Sequence, residues 1–380
     1  MNPSIGMVVF TGVEGNSEPE KRLNRALEAN TIDILRKTHS LEPVDVRILV
    51  TNSDRLKKDC ESSYPELNVI QSEEDFDFGD TLYGVIDSYG CDRMLYLGGG
   101  SAPLFSEDDF RVIVEFLESN QEISISNNFY STDLIGFSPA SRLLDLKSPE
   151  RDNELGWLTR DAGMTPFELG RNAKTQLDMD TPIDLLPLKL SDEVNGELES
   201  YLGSLSWGNT RIRGALKQFT DEDSRLVLFG RVGAETFSYL ERNSACHVNL
   251  YSEGRGDYSG TKGGSNPSIA GDLVENKGPE ELVEFLSGLG TGVFFDTRVL
   301  FNYLNEWPEA KDRFYSDLLE PDEVETPYLE ELTRAALESP NPVVLGGHSI
   351  LSGSLFLLTD VSWKKTDPKS ANVRPKRLKL

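Results

Sequence analysis

Two aspartates, Asp178 and Asp180, stand two residues apart in LDMDTPIDLL at residues 177–186. In an extended segment alternate side chains leave the same face, so this spacing lets both carboxylates converge on one cation. Thr181 and Pro182 then read as a helix start, with Thr as N-cap, Pro at the first helical position and Asp184 in the first turn. The same residues also make an ordinary helix cap. A cation held by such a pair would be Mg²⁺, which takes one or two protein carboxylates and completes its shell with water and phosphate oxygens. A second run, Gly98, Gly99, Gly100 and Ser101, offers bare backbone amides to a close-approaching ligand, and three glycines after a strand are costly in chain entropy. Gly12 and Gly15 suit either a ligand loop or any strand-to-helix turn. Lys21 and Arg22 suit either phosphate contact or a solvated helix face, and Asn127 and Asn128 suit either a turn or a ligand. His348, in GGHSILSG at 346–353, fits an acid, a base or a phosphate contact, and equally a helix cap. Cys60, Cys91 and Cys246 are far apart, as are His39, His247 and His348, so neither a disulfide framework nor a zinc site is encoded.

These residues fall at the ends of an alternating series of elements. Strand-like runs occupy 5–11, 46–51, 67–71, 93–99, 123–126 and 133–137, with helical patterns at 19–37, 79–88 and 106–119, the last opened by Ser106. Such alternation predicts an α/β fold with a mostly parallel, Rossmann-like sheet covered on both faces, and ligands beyond residues 11, 98 and 126. A second α/β series begins near residue 210, with strands at 225–230, 246–252, 292–297 and 342–347 and helices near 233–242, 279–288, 297–305 and 328–338. The strand ends there gather Gly230, Arg231, Ser252, Glu253, Arg255, Asp296, Thr297, Arg298, Gly347, His348 and Ser349, which a parallel sheet would place along one edge. The Gly- and Ser-rich stretch 254–278 predicts a mobile loop. The expected organisation is one domain over 1–190, a second α/β domain over 191–363 and a basic flexible tail over 364–380.

On DMDTPIDL, the first half of the chain, about residues 5–190, resembles the nucleotidyltransferases with a Rossmann-like, nucleotide-diphospho-sugar transferase-like domain. It is similar to molybdenum-cofactor and phospholactate guanylyltransferases and to sugar nucleotidyltransferases of the same fold, by order of elements rather than by close identity. FTGVEGNSEPEKRL resembles the family's Gly-rich, basic loop, which implies that Gly12, Gly15, Lys21 and Arg22 meet a triphosphate. LGGGSAPLFSEDD looks like the family's strand-end loop, which implies that Gly99, Gly100 and Ser101 lie beside the nucleoside or metal. NNFYSTDLIGFSP resembles the segment that faces the acceptor, which assigns Asn127 and Asn128 to it. The family usually carries a metal-binding Asp before the Pro-Leu step, where this chain has Ser101 before Pro103 and Leu104. A hydroxyl is the weaker Mg²⁺ ligand, so the departure puts turnover in doubt more than binding.

The 380 residues carry 38 Lys plus Arg against 64 Asp plus Glu, a net charge of −26. That balance disfavours a general nucleic-acid binder, because phosphates would be repelled, while leaving room for a local basic pocket that holds one nucleotide. The last segment reverses the sign, with Lys364, Lys365, Lys369, Arg374, Lys376, Arg377 and Lys379 against Asp367. No apolar run reaches membrane-spanning length and the start MNPSIGMVVF has no signal-peptide pattern, so no membrane partner and a cytoplasmic location are expected. The oligomeric state is not written in the sequence. The resulting expectation is Mg²⁺-dependent transfer of a nucleotidyl group from an NTP to a small phosphorylated or cofactor acceptor, releasing pyrophosphate, with Asp178 and Asp180 on the metal. The alternatives are a non-catalytic nucleotide or nucleotide-sugar binding protein with a degenerate metal site, and a glycosyltransferase on a related fold.

Overall fold

A computed structural model describes residues 4–72, 75–206, 211–254 and 267–366. The chain forms two compact units. The first comprises residues 1–14, 24–178 and 194–201, and the second comprises 15–23, 179–193 and 202–380.

The first unit is built on seven strands: β1 Ile5–Thr11, β2 Val44–Thr51, β3 Asn68–Gln71, β4 Arg93–Gly98, β5 Ile123–Ser126, β6 Leu134–Ser138 and β7 Thr165–Glu168. Their order is β3-β2-β1-β4-β6-β5-β7, and β6 runs antiparallel to both neighbours while every other pair is parallel. Side chains alternate across each strand, so both faces need cover. Met7, Val9, Leu95 and Leu97 pack on one side, with Ile34 and Leu35 of the helix Glu18–Thr38 and Phe110 and Leu117 of the helix Glu107–Ser119. Val8, Phe10, Met94 and Tyr96 pack on the other, with Leu82, Val85 and Ile86 of the helix Phe78–Tyr89. Ser106 caps its helix as expected, in a capping box with Asp109. The strand order reverses direction between β1 and β4, so the crevice beyond their carboxyl ends is the topological switch point.

The second unit has four parallel strands, β8 Arg225–Gly230, β9 His247–Ser252, β10 Gly292–Asp296 and β11 Val343–Gly346, in the order β11-β10-β8-β9. Its switch point lies between β8 and β10. Val227, Phe229, Val293, Phe295 and Leu345 form one core with Leu282 and Leu286 of the helix Pro279–Gly288 and Leu329 and Leu332 of the helix Pro327–Glu338. The helix Gly353–Lys365 is buried along most of its length, its polar Ser354, Thr359 and Ser362 included, and its Phe356 ring lies 4.2 Å from that of Tyr239.

Two expectations change. The stretch 254–278 contains the helix Ile269–Lys277, capped by Ser268, while residues 255–266, Arg255 among them, lie outside the described residues. Lys364 and Lys365 belong to the last helix rather than to a tail, and Lys364 pairs with Asp192 at 2.7 Å and Glu193 at 2.8 Å. Residues 367–380 lie outside the described residues. Among the described residues no helix is long and apolar enough to cross a membrane.

Candidate functional site

The first unit's switch point is closed by the glycine turn after β4. Gly98 N–H donates to Asp133 O at 2.9 Å and Gly99 N–H to Phe10 O at 2.8 Å. A Cβ on Gly99 would sit 2.5 Å from Thr11 Oγ1, so only glycine lets this turn press against the end of β1. Asn30 Nδ2 donates to Gly99 O at 2.8 Å and Ser101 O at 2.9 Å, which ties the turn to the first helix. Asn30 Oδ1 and Ser126 Oγ, both buried near this edge, have no partner among the described residues. Ser101 is buried and its hydroxyl donates to Gly98 O at 2.7 Å. The residue that stands where the resembled family has a metal-binding Asp therefore closes its own loop.

Carboxylates absent from the expected set gather beside the turn. Tyr96 Oη donates to Asp152 Oδ2 at 3.1 Å, and both oxygens lie 3.9 Å from where a Gly98 Cβ would be. Burial first, then the charges of Asp152, Asp133 and Asp178, push the Tyr96 hydroxyl well above its ordinary pKa, so it stays a donor. Asn127 Nδ2 donates to Asp133 Oδ2 at 3.0 Å, while Asn127 Oδ1 accepts from the N–H groups of Asp133 and Leu134, both at 3.1 Å. Asn127 thus fixes the rotamer of an acid. Asn128 Oδ1 accepts from Tyr130 N at 3.2 Å, a local turn contact. Asp133 lies inside NNFYSTDLIGFSP, where only the two asparagines stand out by type, and Asp152 gives no sequence signal, because it reaches Tyr96 only through the fold.

Of the expected pair, Asp178 belongs to the first unit, where its charge acts on Tyr96, and Asp180 to the second, where its charge acts on Asp184 and His348. Burial alternates as an extended segment requires: Leu177 and Met179 are buried, Asp178 is half-buried and Asp180 exposed. Pro182–Asp184 forms a single tight turn that leads into the helix Leu185–Leu190. Asp184 is fully buried and accepts from Thr181 N at 2.8 Å, Thr181 Oγ1 at 2.9 Å and Ser349 Oγ at 2.5 Å. Burial, then the Asp180 charge, push its carboxyl up to about 7. Among the described residues no three His, Cys, Asp or Glu side chains are grouped to hold a metal.

The loop with Gly12 and Gly15 looks different from a ready phosphate cradle. Gly12 faces open space, and Gly15, at φ +69°, folds tightly over Glu20. The Glu20 carboxylate accepts from Asn16 N at 3.1 Å, Ser17 N at 2.9 Å and Ser17 Oγ at 2.6 Å. Lys21 pairs with Glu18 at 3.3 Å and Arg22 with Glu320 at 3.8 Å. An internal carboxylate thus occupies the amides expected to meet a triphosphate, and both cations already have acidic partners with which a phosphate would compete.

At the second unit's switch point Gly230 has φ +124°, and a Cβ there would come 2.6 Å from Asp296 Cβ. The close approach sets Arg231 Nε and Nη2 against the two Asp296 oxygens at 2.6 and 3.2 Å. Arg298 grips Asp317 in a second, enclosed pair at 2.5 and 2.7 Å. His348 Nδ1 lies 2.9 Å from Arg231 O. Glu253 N–H donates to Gly230 O at 3.1 Å, and its carboxylate caps the helix Ile269–Lys277. The expected edge of polar strand ends is present, with Arg231, Asp296, Arg298 and His348 gathered in it.

No protein family matches the chain, and no curated protein does. Among solved structures it is similar to a cytidylyltransferase from Leptospira borgpetersenii, at 16% identity over 55% of this chain and 100% of that one, with a TM-score of 0.39. A nucleotidyl transferase from Methanothermobacter thermautotroptrophicus shares 14% identity over 53% of this chain and 99% of that one, with a TM-score of 0.37. A CMP:2-keto-3-deoxy-manno-octonic acid synthetase complexed with CTP shares 13% over 49% and 96%, with a TM-score of 0.35. At these values the similarities assign neither activity nor substrate.

Proposed function

We propose that the first unit transfers a nucleotidyl group from an NTP to a small phosphorylated or cofactor acceptor, with Mg²⁺, releasing pyrophosphate. The observation that carries this reading is the meeting, at the β1/β4 switch point, of the Gly98–Ser101 turn with the carboxylates of Asp133, Asp152 and Asp178 around Tyr96. Asp178 is the proposed metal-holding carboxylate of this unit, and a bound Mg²⁺ would neutralise charge on the phosphates. Gly99 and Gly100 are the proposed backbone contacts of the nucleoside. Asn127 holds Asp133 in place at the same edge. A phosphate oxygen of the acceptor attacks the α-phosphorus while the bond to the β-phosphate oxygen breaks, and pyrophosphate leaves with that electron pair. Such an acceptor oxygen is already anionic, so no protein base is required, and positioning and charge do the catalysis.

The test is to melt the protein with each of the four NTPs, with and without Mg²⁺, and to assay pyrophosphate release with a phosphorylated acceptor. Mg²⁺-dependent stabilisation is expected, and Asp178→Asn should lower turnover about 100-fold, the scale of losing one electrostatic contact to the transition state. Lys21→Ala, Arg22→Ala and Asp180→Asn test the remaining roles in the same assay. No stabilisation by any NTP would overturn the reading. The inward hydroxyl of Ser101 and the Glu20-filled loop favour one second reading, a nucleotide or nucleotide-sugar binding protein, which predicts stabilisation without pyrophosphate.

A further inference from the structure

We propose that the second unit carries its own binding site, formed by Arg231 and His348 at the carboxyl ends of β8, β10 and β11, for a small molecule that presents an anionic oxygen beside a hydroxyl. The inference is independent of the nucleotide reading of the first unit.

The sheet order makes the β8/β10 edge the place where connections diverge to opposite sides and leave a crevice. Gly230 lets the two strand ends touch, and the touch presents Arg231 to Asp296 side-on, through Nε and Nη2. That grip leaves Nη1 with no protein partner among the described residues, on a side chain 21% exposed. Asp296 is itself anchored, since its Oδ1 accepts from Arg298 N–H at 3.1 Å. The guanidinium is therefore positioned by its partner while part of the side chain stays exposed.

His348 completes the pair. The Arg231 carbonyl can only accept, so the 2.9 Å contact requires the hydrogen on Nδ1. Burial, then the neighbouring guanidinium, hold the imidazole below its ordinary pKa, which keeps it neutral and makes Nε2 an acceptor. Nε2 has no protein donor among the described residues. Ser349, the next residue, is fixed on Asp184, so His348 hangs from a rigid corner. A guanidinium edge and a neutral imidazole acceptor recognise complementary atoms: an anionic oxygen for the first and an O–H for the second. Hydroxy acids and protonated phosphate monoesters both have that combination. Two neighbouring ion pairs, one enclosed and one partly open, stabilise a fold weakly, and such concentrations of charge occur where ligands bind.

The chain has three histidines, so ring-nitrogen NMR of the full-length protein reads the site directly. Glycolate, acetate, inorganic phosphate and glycerol 3-phosphate are titrated in turn. A saturable shift of His348 below about 10 mM is expected, with His39 and His247 unmoved, and acetate at least about tenfold weaker than glycolate because it lacks the hydroxyl. Response to glycolate alone identifies a hydroxy acid, and response to the phosphates alone a phosphate monoester. His348→Gln should abolish the melting shift these probes cause. Because Arg231→Gln would strand Asp296, the double variant Arg231→Gln/Asp296→Asn is used, and it too should lose binding. Absence of any saturable His348 shift at 50 mM of every probe, saturable binding of acetate as tight as that of glycolate, or unchanged binding in His348→Gln overturns the proposal.

Discussion

Asp184 has no solvent contact and accepts three hydrogen bonds, yet its carboxyl is pushed from 3.8 up to about 7. The folded state then holds a proton that the unfolded chain releases from about pH 4 upward. Stability from this group is present below the unfolded value and is lost as pH rises toward the folded one, by at most about 1.4 kcal/mol for each pH unit crossed. Melting curves from pH 4.5 to 7.5 should therefore show the wild type losing stability relative to Asp184→Asn as pH rises, and parallel curves would show an acid ionised throughout. Glu20 gives a second prediction with opposite signs on two readouts. Glu20→Gln removes the charge held by Asn16 and Ser17 N–H, which should cost about 1 kcal/mol of helix capping. If the loop meets a triphosphate, the same change should tighten NTP binding several-fold in calorimetry. Unchanged or weaker NTP affinity would remove this loop from the phosphate site.

At the scale of elements, the strands followed from short apolar runs: β1, β5 and β8 occupy the expected residues, and β2, β4 and β10 differ by a residue or two at their ends. The misses have physical causes. β7, TPFE, is exposed throughout and offers no alternation of burial. The helix Gly353–Lys365 is buried all round and so lacks the amphipathic period that marks a surface helix. Residues at strand ends were legible as a group, because a parallel sheet gathers them along one edge. Which acid would meet which base was not: Arg231 finds Asp296 across 65 residues, and Tyr96 finds Asp152 across 56. Ser101 illustrates the limit within one motif, since its position was readable and the inward turn of its hydroxyl was not. The Gly98–Ser101 turn can be tested by packing alone. Gly99→Ala puts a methyl 2.5 Å from Thr11 Oγ1 and should cost about 1–3 kcal/mol in denaturant melts. Adding Thr11→Ala should recover part of that loss, and additive losses would show that the two ends do not touch.

At the scale of the whole chain, the −26 charge and the buried ion pairs respond to salt in different ways. Surface acids repel one another over distances comparable to the Debye length, which falls from about 10 Å at 0.1 M to about 3 Å at 1 M. Added KCl should therefore raise the melting temperature by screening self-repulsion, a general property of strongly charged chains. Arg298 and Asp317 are enclosed, at 5% and 0% side-chain exposure, and salt does not reach between them. Arg298→Met should cost about 3–5 kcal/mol by stranding Asp317, and Arg298→Met/Asp317→Leu should recover most of it, because a buried pair exchanged for apolar groups of similar volume is near neutral. The salt slope of the double variant should match that of the wild type, since the exchange leaves the net charge and the surface acids unchanged. A shallower slope would mean that the buried pair, rather than the surface, carries the salt response, and would require this corner of the second unit to open to solvent.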